Sequence, residues 1–275
     1  MKAEKQFNTG ELTLDYVEAG SGQPLVALHG LTSNRQAWYP LLPKFASRWH
    51  VYVPDLRGHG TSGRAPDHHY ANADYASDII AFLKHIGQPV VLMGHSLGAM
   101  VAIIVAAQYP EGVSALILLD PPLLTYTDNV QTSPEPAKWF NLVSTVMKGS
   151  PSRETIVARL REMMPGTPDE QLNGMVGWLA QIDPGTTDVA LRDEMWQGVD
   201  LPQTLHQIKC PTLLVQADWD HGGAMRDIDI ERFRQNMPSA RVVKLDDSDH
   251  GLKMQEHPEI VLGYVDSFLQ SVSPA

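Results

Sequence analysis

The sequence predicts an α/β protein: a mostly parallel, twisted sheet flanked by helices, with a helical cap inserted between the sixth and seventh main strands. Three observations carry that reading. Short continuous runs of Val, Ile and Leu recur at 25–28 (LVAL), 51–53 (VYV), 90–93 (VVLM), 116–119 (LILL), 213–215 (LLV) and 242–245 (VVKL). Unbroken apolar runs are the pattern of strands buried on both faces. Segments of helical character, such as 73–86 and 96–109, separate most of them, and strand–helix alternation implies right-handed crossovers in a parallel sheet. From Asp120 to Pro211 no convincing buried strand occurs, and Pro and Gly punctuate short helical patterns at 136–147, 152–164, 168–181 and 187–197.

Each remaining element follows in turn. Residues 6–8 and 11–18, broken at Thr9-Gly10, form an edge hairpin ahead of the first buried run. The last helix, 258–272, closes the fold. The expected division is a core domain of 1–122 and 209–275 and a cap of 123–208, without internal repeats.

Composition narrows the function classes. Of 275 residues, 43% are hydrophobic and 19% charged, which excludes wholesale disorder. A net charge of −11 disfavours nucleic acid or an anionic membrane as main partner, since both select a basic face. Cys210 is the single cysteine, so no intramolecular disulfide and no cysteine-cluster metal site can form. The first residues lack a signal-peptide core, and no uncharged apolar run reaches the ~18–20 residues of a membrane span. The expectation is a cytoplasmic protein with a small-molecule substrate; the oligomeric state is open.

The chemistry concentrates at Gly94-His95-Ser96-Leu97-Gly98, a G-x-S-x-G motif directly after a buried strand and before an apolar helix. Glycines two residues either side of the serine permit a sharp strand-to-helix turn that lifts the hydroxyl above the carboxyl edge of the sheet. A serine hydroxyl needs a base to take its proton. His250, in Asp249-His250-Gly251, follows the last apolar run and lies on a loop at that edge. His59 and His95 sit in glycine turns and read as structural. A carboxylate must orient the base. Asp218 and Asp220 follow the 213–215 run, Asp120 ends the 116–119 run, and spacing alone does not choose among them. The Leu31 N–H, after His29-Gly30, and the Leu97 N–H are the donors expected to hold an oxyanion.

The pieces LVALHGLT, VPDLRGHGTSG, LMGHSLGAMVA, LILLDPP, PTLLVQADWD and SDHGL, in this order, resemble the α/β-hydrolase superfamily, in particular its serine carboxylesterase-like members with a helical cap. The resemblance runs from about residue 12 to the end, with the cap weakly patterned. It implies Asp220 as the acid, third after the strand-ending position that Ala217 fills in place of the family's glycine, with Asp218 as the alternative. It also implies structural roles for Asp55, Arg57 and His59, and a cap that shapes the substrate pocket, with Trp139, Met147, Met175 and Trp178 as candidate lining residues. Serine at position 96, where dehalogenases and epoxide hydrolases carry aspartate, points to carboxylic ester hydrolysis of small to medium, fairly hydrophobic substrates. Lactone hydrolysis by the same three residues is the alternative, then carbon–carbon bond hydrolysis or a small-ligand receptor. The zinc-lactonase signature H-x-H-x-D-H is absent, and neither metal nor cofactor is called for.

Overall fold

The computed structural model describes residues 2–65, 69–123, 134–149 and 151–272. Eight strands form one sheet: β1 (Ala3–Asn8), β2 (Thr13–Gly20), β3 (Pro24–Leu28), β4 (His50–Pro54), β5 (Val90–His95), β6 (Val113–Leu119), β7 (Thr212–Gln216) and β8 (Arg241–Lys244). Their order is β1-β2-β4-β3-β5-β6-β7-β8. The hairpin β1–β2 joins β4 antiparallel, and every pairing from β4 through β3 to β8 is parallel. All six apolar runs are therefore strands, as the sequence predicts.

The strands run apolar because alternate residues feed two cores. Val90, Leu92, Leu116 and Leu118 enter a cluster with α2 (Asn72–Ile86) and α3 (Leu97–Gln108), while Val91, Met93, Ile117 and Leu119 face α10 (Pro258–Val272). In α2 the buried Tyr75, Ile79, Phe82 and Leu83 follow helical spacing, and Gly87 ends the helix at a left-handed φ of 74°. In α10 the stripe is Val261, Leu262, Val265, Phe268 and Leu269. Helix α3 is buried on every side from Leu97 to Ala107, as expected of an interior helix behind the middle of the sheet. Short α1 (Leu42–Ala46) packs beside α10 through Phe45.

Between β6 and β7 lie the helices of the insertion: α4 (Pro134–Met147), α5 (Arg153–Met163), α6 (Asp169–Leu179), α7 (Pro184–Leu191) and α8 (Leu201–Gln207). The first three enclose their own core, from Val143 to Ile182. Val189, Ala190, Leu201 and Leu205 belong instead to the cluster under α3. Helix α7 starts at Pro184, three residues before the expected boundary, because Asp183 caps it by accepting the Gly185 N–H at 2.9 Å and proline suits a first turn. The Asp183 N–H donates to the Gly58 carbonyl at 2.7 Å and ties the end of the insertion to the core. Helices α8 and α9 (Asp227–Asn236) were not anticipated; one is a single proline-led stretch of seven residues and the other is dense in charge. No helix among the described residues is long and apolar enough to cross a membrane.

Candidate active site

Ser96 occupies the turn between β5 and α3 with φ 54° and ψ −118°, a conformation a non-glycine residue holds only when its surroundings impose it. Those surroundings are tight. The Ser96 N–H donates to the Leu119 carbonyl at 3.0 Å, and the Gly98 N–H to the His29 carbonyl at 3.1 Å. A Cβ on Gly98 would lie 2.3 Å from the Leu28 carbonyl oxygen, and one on Gly94 2.1 Å from the Gly98 oxygen. Both glycines of the motif are thus required by close backbone approach. Gly98→Ala is expected to destabilise the protein by at least about 1–3 kcal/mol, the range for forced overpacking. A denaturant midpoint equal to that of the parent protein would contradict this.

Leu31 and Leu97 both sit beside this turn and are buried. Leu97 opens α3, so its N–H has no intrahelical acceptor. The loop bearing Leu31 is braced from below: His29 donates through Nδ1 to the Gly30 carbonyl at 2.8 Å and accepts the Leu56 N–H on Nε2 at 3.0 Å. His59 contacts the Leu31 carbonyl through Nε2 and the Arg57 carbonyl through Nδ1. Arg57 itself is fully buried and forks onto Asp78, with Nε–Oδ2 2.7 Å and Nη2–Oδ1 2.8 Å, while Asp55 accepts the Arg35 and Thr61 N–H groups. The 53–63 segment is therefore a scaffold under the Leu31 loop.

The carboxylate beside His250 is neither Asp220 nor Asp218, the two the resemblance implies, but Asp120. His250 Nδ1 lies 2.7 Å from Oδ2 of Asp120, and Asp120 is wholly inaccessible. Neither residue after β7 takes that place. Asp220 is exposed in a 3-10 turn (Trp219–His221), its N–H donating to Asp218 Oδ1 at 3.3 Å. Asp218 is engaged by His221 Nδ1 at 2.9 Å and by the Asp247 N–H at 3.2 Å. The physical reason is strand order. β6 lies between β5 and β7, so the end of β6 stands next to the serine turn, and Asp120, with φ 46°, turns back under His250. Its carboxylate also accepts the Ala217 N–H at 3.1 Å and the Ala224 N–H at 2.8 Å. A buried carboxylate needs several donors in place of its lost hydration, and here three are supplied.

The sequence did carry a signal for Asp120. A carboxylate directly at the end of a fully apolar strand is buried with it, and a buried charge requires partners. Residue type also fixes the tautomer of His250. With Nδ1–H given to a carboxylate, the neutral ring keeps its lone pair on Nε2, the nitrogen able to take a proton from a hydroxyl.

Of the four cap residues expected to line a pocket, three pack in or against the cap's own core. Met147 is buried in the cap's own core, and Met175 and Trp178 pack against that core. Helix packing explains this: α4, α5 and α6 form too small a unit to have an interior without their largest apolar side chains. The side chain of Trp139 lies outside the described residues. Cys210 is partly buried, and burial pushes its thiol up to about 11, which makes it inert as a nucleophile.

For metals, Asp218, His221 and Asp247 place their ligand atoms within 4.8 Å of one another among the described residues. His221 turns Nδ1 to Asp218 and Nε2 toward Asp247, at 3.8 Å, so the two carboxylates face opposite ring nitrogens, and Lys244 Nζ stands 3.6 Å from Asp218. That is an ion-pair cluster, arranged poorly for a single ion.

Residues 25–263 match the model of the alpha/beta hydrolase family, and the chain belongs to that family. It is 30% identical over 232 residues to N-formylmaleamate deformylase of Pseudomonas putida, covering 84% of this chain and 83% of the relative. It is 28% identical over 279 residues to 2-(acetamidomethylene)succinate hydrolase of Mesorhizobium japonicum, covering 97% and 95% of the two. Among solved structures, a thermophilic esterase from Thermogutta terrifontis is 26% identical, with a TM-score of 0.72 and both chains covered in full. The two curated relatives are named as a deformylase and a hydrolase and the solved structure as an esterase, and the chain is a hydrolase of the same family.

Proposed function

We propose that the protein is a serine acyl hydrolase that opens carboxylic ester bonds of small to medium, fairly hydrophobic substrates, in open-chain and ring-closed (lactone) form alike. The observation that carries this reading is the 2.7 Å contact of Asp120 with His250 on the loop beside the strained Ser96 turn. A positioned carboxylate, an imidazole whose lone pair is left on Nε2 and a half-buried serine on a strained turn are the parts of acyl transfer.

The steps follow from these groups. His250 Nε2 takes the hydroxyl proton of Ser96 as the oxygen attacks the substrate carbonyl. The Leu31 and Leu97 N–H groups receive the charge that develops on the carbonyl oxygen, each such donor contributing about 3–4 kcal/mol. The imidazolium, held by Asp120, then passes its proton to the departing alcohol. A water molecule, deprotonated by the same nitrogen, releases the acid from Ser96. In a lactone the departing alcohol stays tethered to the acyl group, and the same donors serve. Aspartate at position 120 stands before the insertion and leaves the sequence of events unchanged.

A second reading has support from the relatives. Two that share most of their length with this chain are named for acetamidomethylene and formyl substrates, so activated N-acyl compounds are a further substrate class for the same serine.

Hydrolysis of p-nitrophenyl esters from acetate to dodecanoate, of γ- and δ-lactones by pH-stat, and of an N-formyl enamide tests all of these. Wild-type turnover that vanishes in Ser96→Ala is the expected result, and the preferred class is the one with the highest kcat/KM. Turnover that survives in Ser96→Ala overturns the acyl-enzyme.

A further inference from the structure

His95 precedes the serine in the turn, and its ring makes a contact that the acyl-transfer steps do not use. Its Nε2 lies 2.7 Å from the main-chain carbonyl oxygen of His250. The two rings stand 4.8 Å apart between centroids, inclined at 41°. A carbonyl oxygen only accepts, so His95 must carry its proton on Nε2. On its other side, His95 Nδ1 and the Ser96 Cβ are so close to Gly30 that a Cβ there would lie 3.3 and 3.2 Å from them. One ring thus touches the serine turn, the Leu31 loop and the loop of the base.

We propose that His95 is a positioning residue for His250: its Nε2–H clamps the main chain of the base and fixes where the imidazole stands over the serine turn. The inference rests on the reading of Ser96 and His250 as nucleophile and base. The need for a clamp is visible in the loop itself. His250 is more than a third exposed at its side chain, and Leu252 and Lys253, just beyond it, hold positive φ of 53° each. Asp120 anchors the ring at Nδ1, which leaves the main chain behind it as the second point that must be held. Two anchors, one on the ring and one on the backbone, remove the freedom to swing that one anchor leaves. Burial, with the adjacent His250, pushes His95 down to about 4, so it keeps the neutral donor form while its neighbour cycles through the cation.

The test compares His95→Gln, which keeps an N–H donor at nearly the same reach, with His95→Phe, which keeps the ring and loses the donor, and His95→Asn, whose amide is too short. Asn also guards against a Phe variant that fails to fold. The clamp predicts a fall in kcat of about 30–100-fold for Phe and Asn with KM within about twofold, and a Gln variant within about threefold of the parent, since displacement of about 1 Å costs on the order of 100-fold. An activity-independent arm follows the downfield proton resonance of the His250 Nδ1–H, identified by its loss in His250→Gln. It is expected to persist in His95→Gln and to shift or broaden in the other two. The clamp is overturned if Phe and Asn keep kcat and the resonance, or if Gln behaves as Phe does. Turnover surviving in Ser96→Ala would remove the reading of the site, and the resonance would still decide the clamp.

Discussion

Replacing Asp120 with asparagine is expected to lower kcat by about 10³–10⁴-fold, while Asp220→Asn stays within about twofold of the parent. The argument is one of proton placement. Asp120 accepts from His250 Nδ1 and from the Ala217 and Ala224 N–H groups. The Ala217 N–H sits on Oδ1, whereas the Ala224 N–H and His250 Nδ1 share Oδ2. An asparagine oxygen serves only one of these positions, and the neutral amide no longer stabilises the imidazolium. Where its NH2 takes the Oδ2 position, donor faces donor, and the ring moves its proton to Nε2, a tautomer that cannot accept the Ser96 proton. Asp218→Asn is expected to cost only a few-fold, through its contacts with His221 and the Asp247 N–H. Steady-state kinetics on the best substrate decide, and a loss in Asp220→Asn larger than in Asp120→Asn would return the acid to the loop after β7.

The second large effect is on stability in acid. His29 is buried, and burial holds it well below the ordinary imidazole range; its Nε2 accepts the Leu56 N–H, as a neutral ring must. In the unfolded chain it titrates near 6.5. Unfolding therefore takes up a proton once the pH falls below that value. The contribution of this ring is complete above about pH 6.5–7 and declines below it, by up to about 1.4 kcal/mol per pH unit. His95 acts in the same direction down to about pH 4. Asp55 and Asp78, raised by burial, act oppositely, because the folded state takes up their protons first. That offset enters only where carboxylates titrate, so the histidines rule the upper part of the range. Urea midpoints at pH 7.5, 6.0 and 5.0 are expected to fall in that order. A midpoint unchanged between pH 7.5 and 5.0 would show that the rings are not held neutral.

The fold was legible because the strands advertise themselves. An unbroken run such as 90–93 has no other economical home than a strand covered on both faces, and the glycines around Ser96 announce the turn that follows. The helices α2, α3 and α10 were equally plain. What escaped was whatever depends on neighbours in space. Asp120, Asp218 and Asp220 all reach the same edge from sequence alone; the strand order that brings β6 beside β5, and the positive φ that swings Asp120 under His250, appear only in three dimensions. Met147, Met175 and Trp178 show the same limit. A helical period says that an apolar side chain will be buried, and not which of two interiors receives it.

The position of Asp120 has a further consequence. Ser96 and its neighbour on β6 are supplied by a single stretch of chain, 90–120, that ends before the insertion begins. Only His250 arrives from beyond it. Two of the three groups are therefore fixed to each other by adjacent strands, whatever length or sequence follows them. The 217–224 loop supports that pair from the side, donating two amides to Asp120. On the proposed reading, a foreign insertion grafted between β6 and β7 is expected to change what is admitted while Ser96 and Asp120 stay in register.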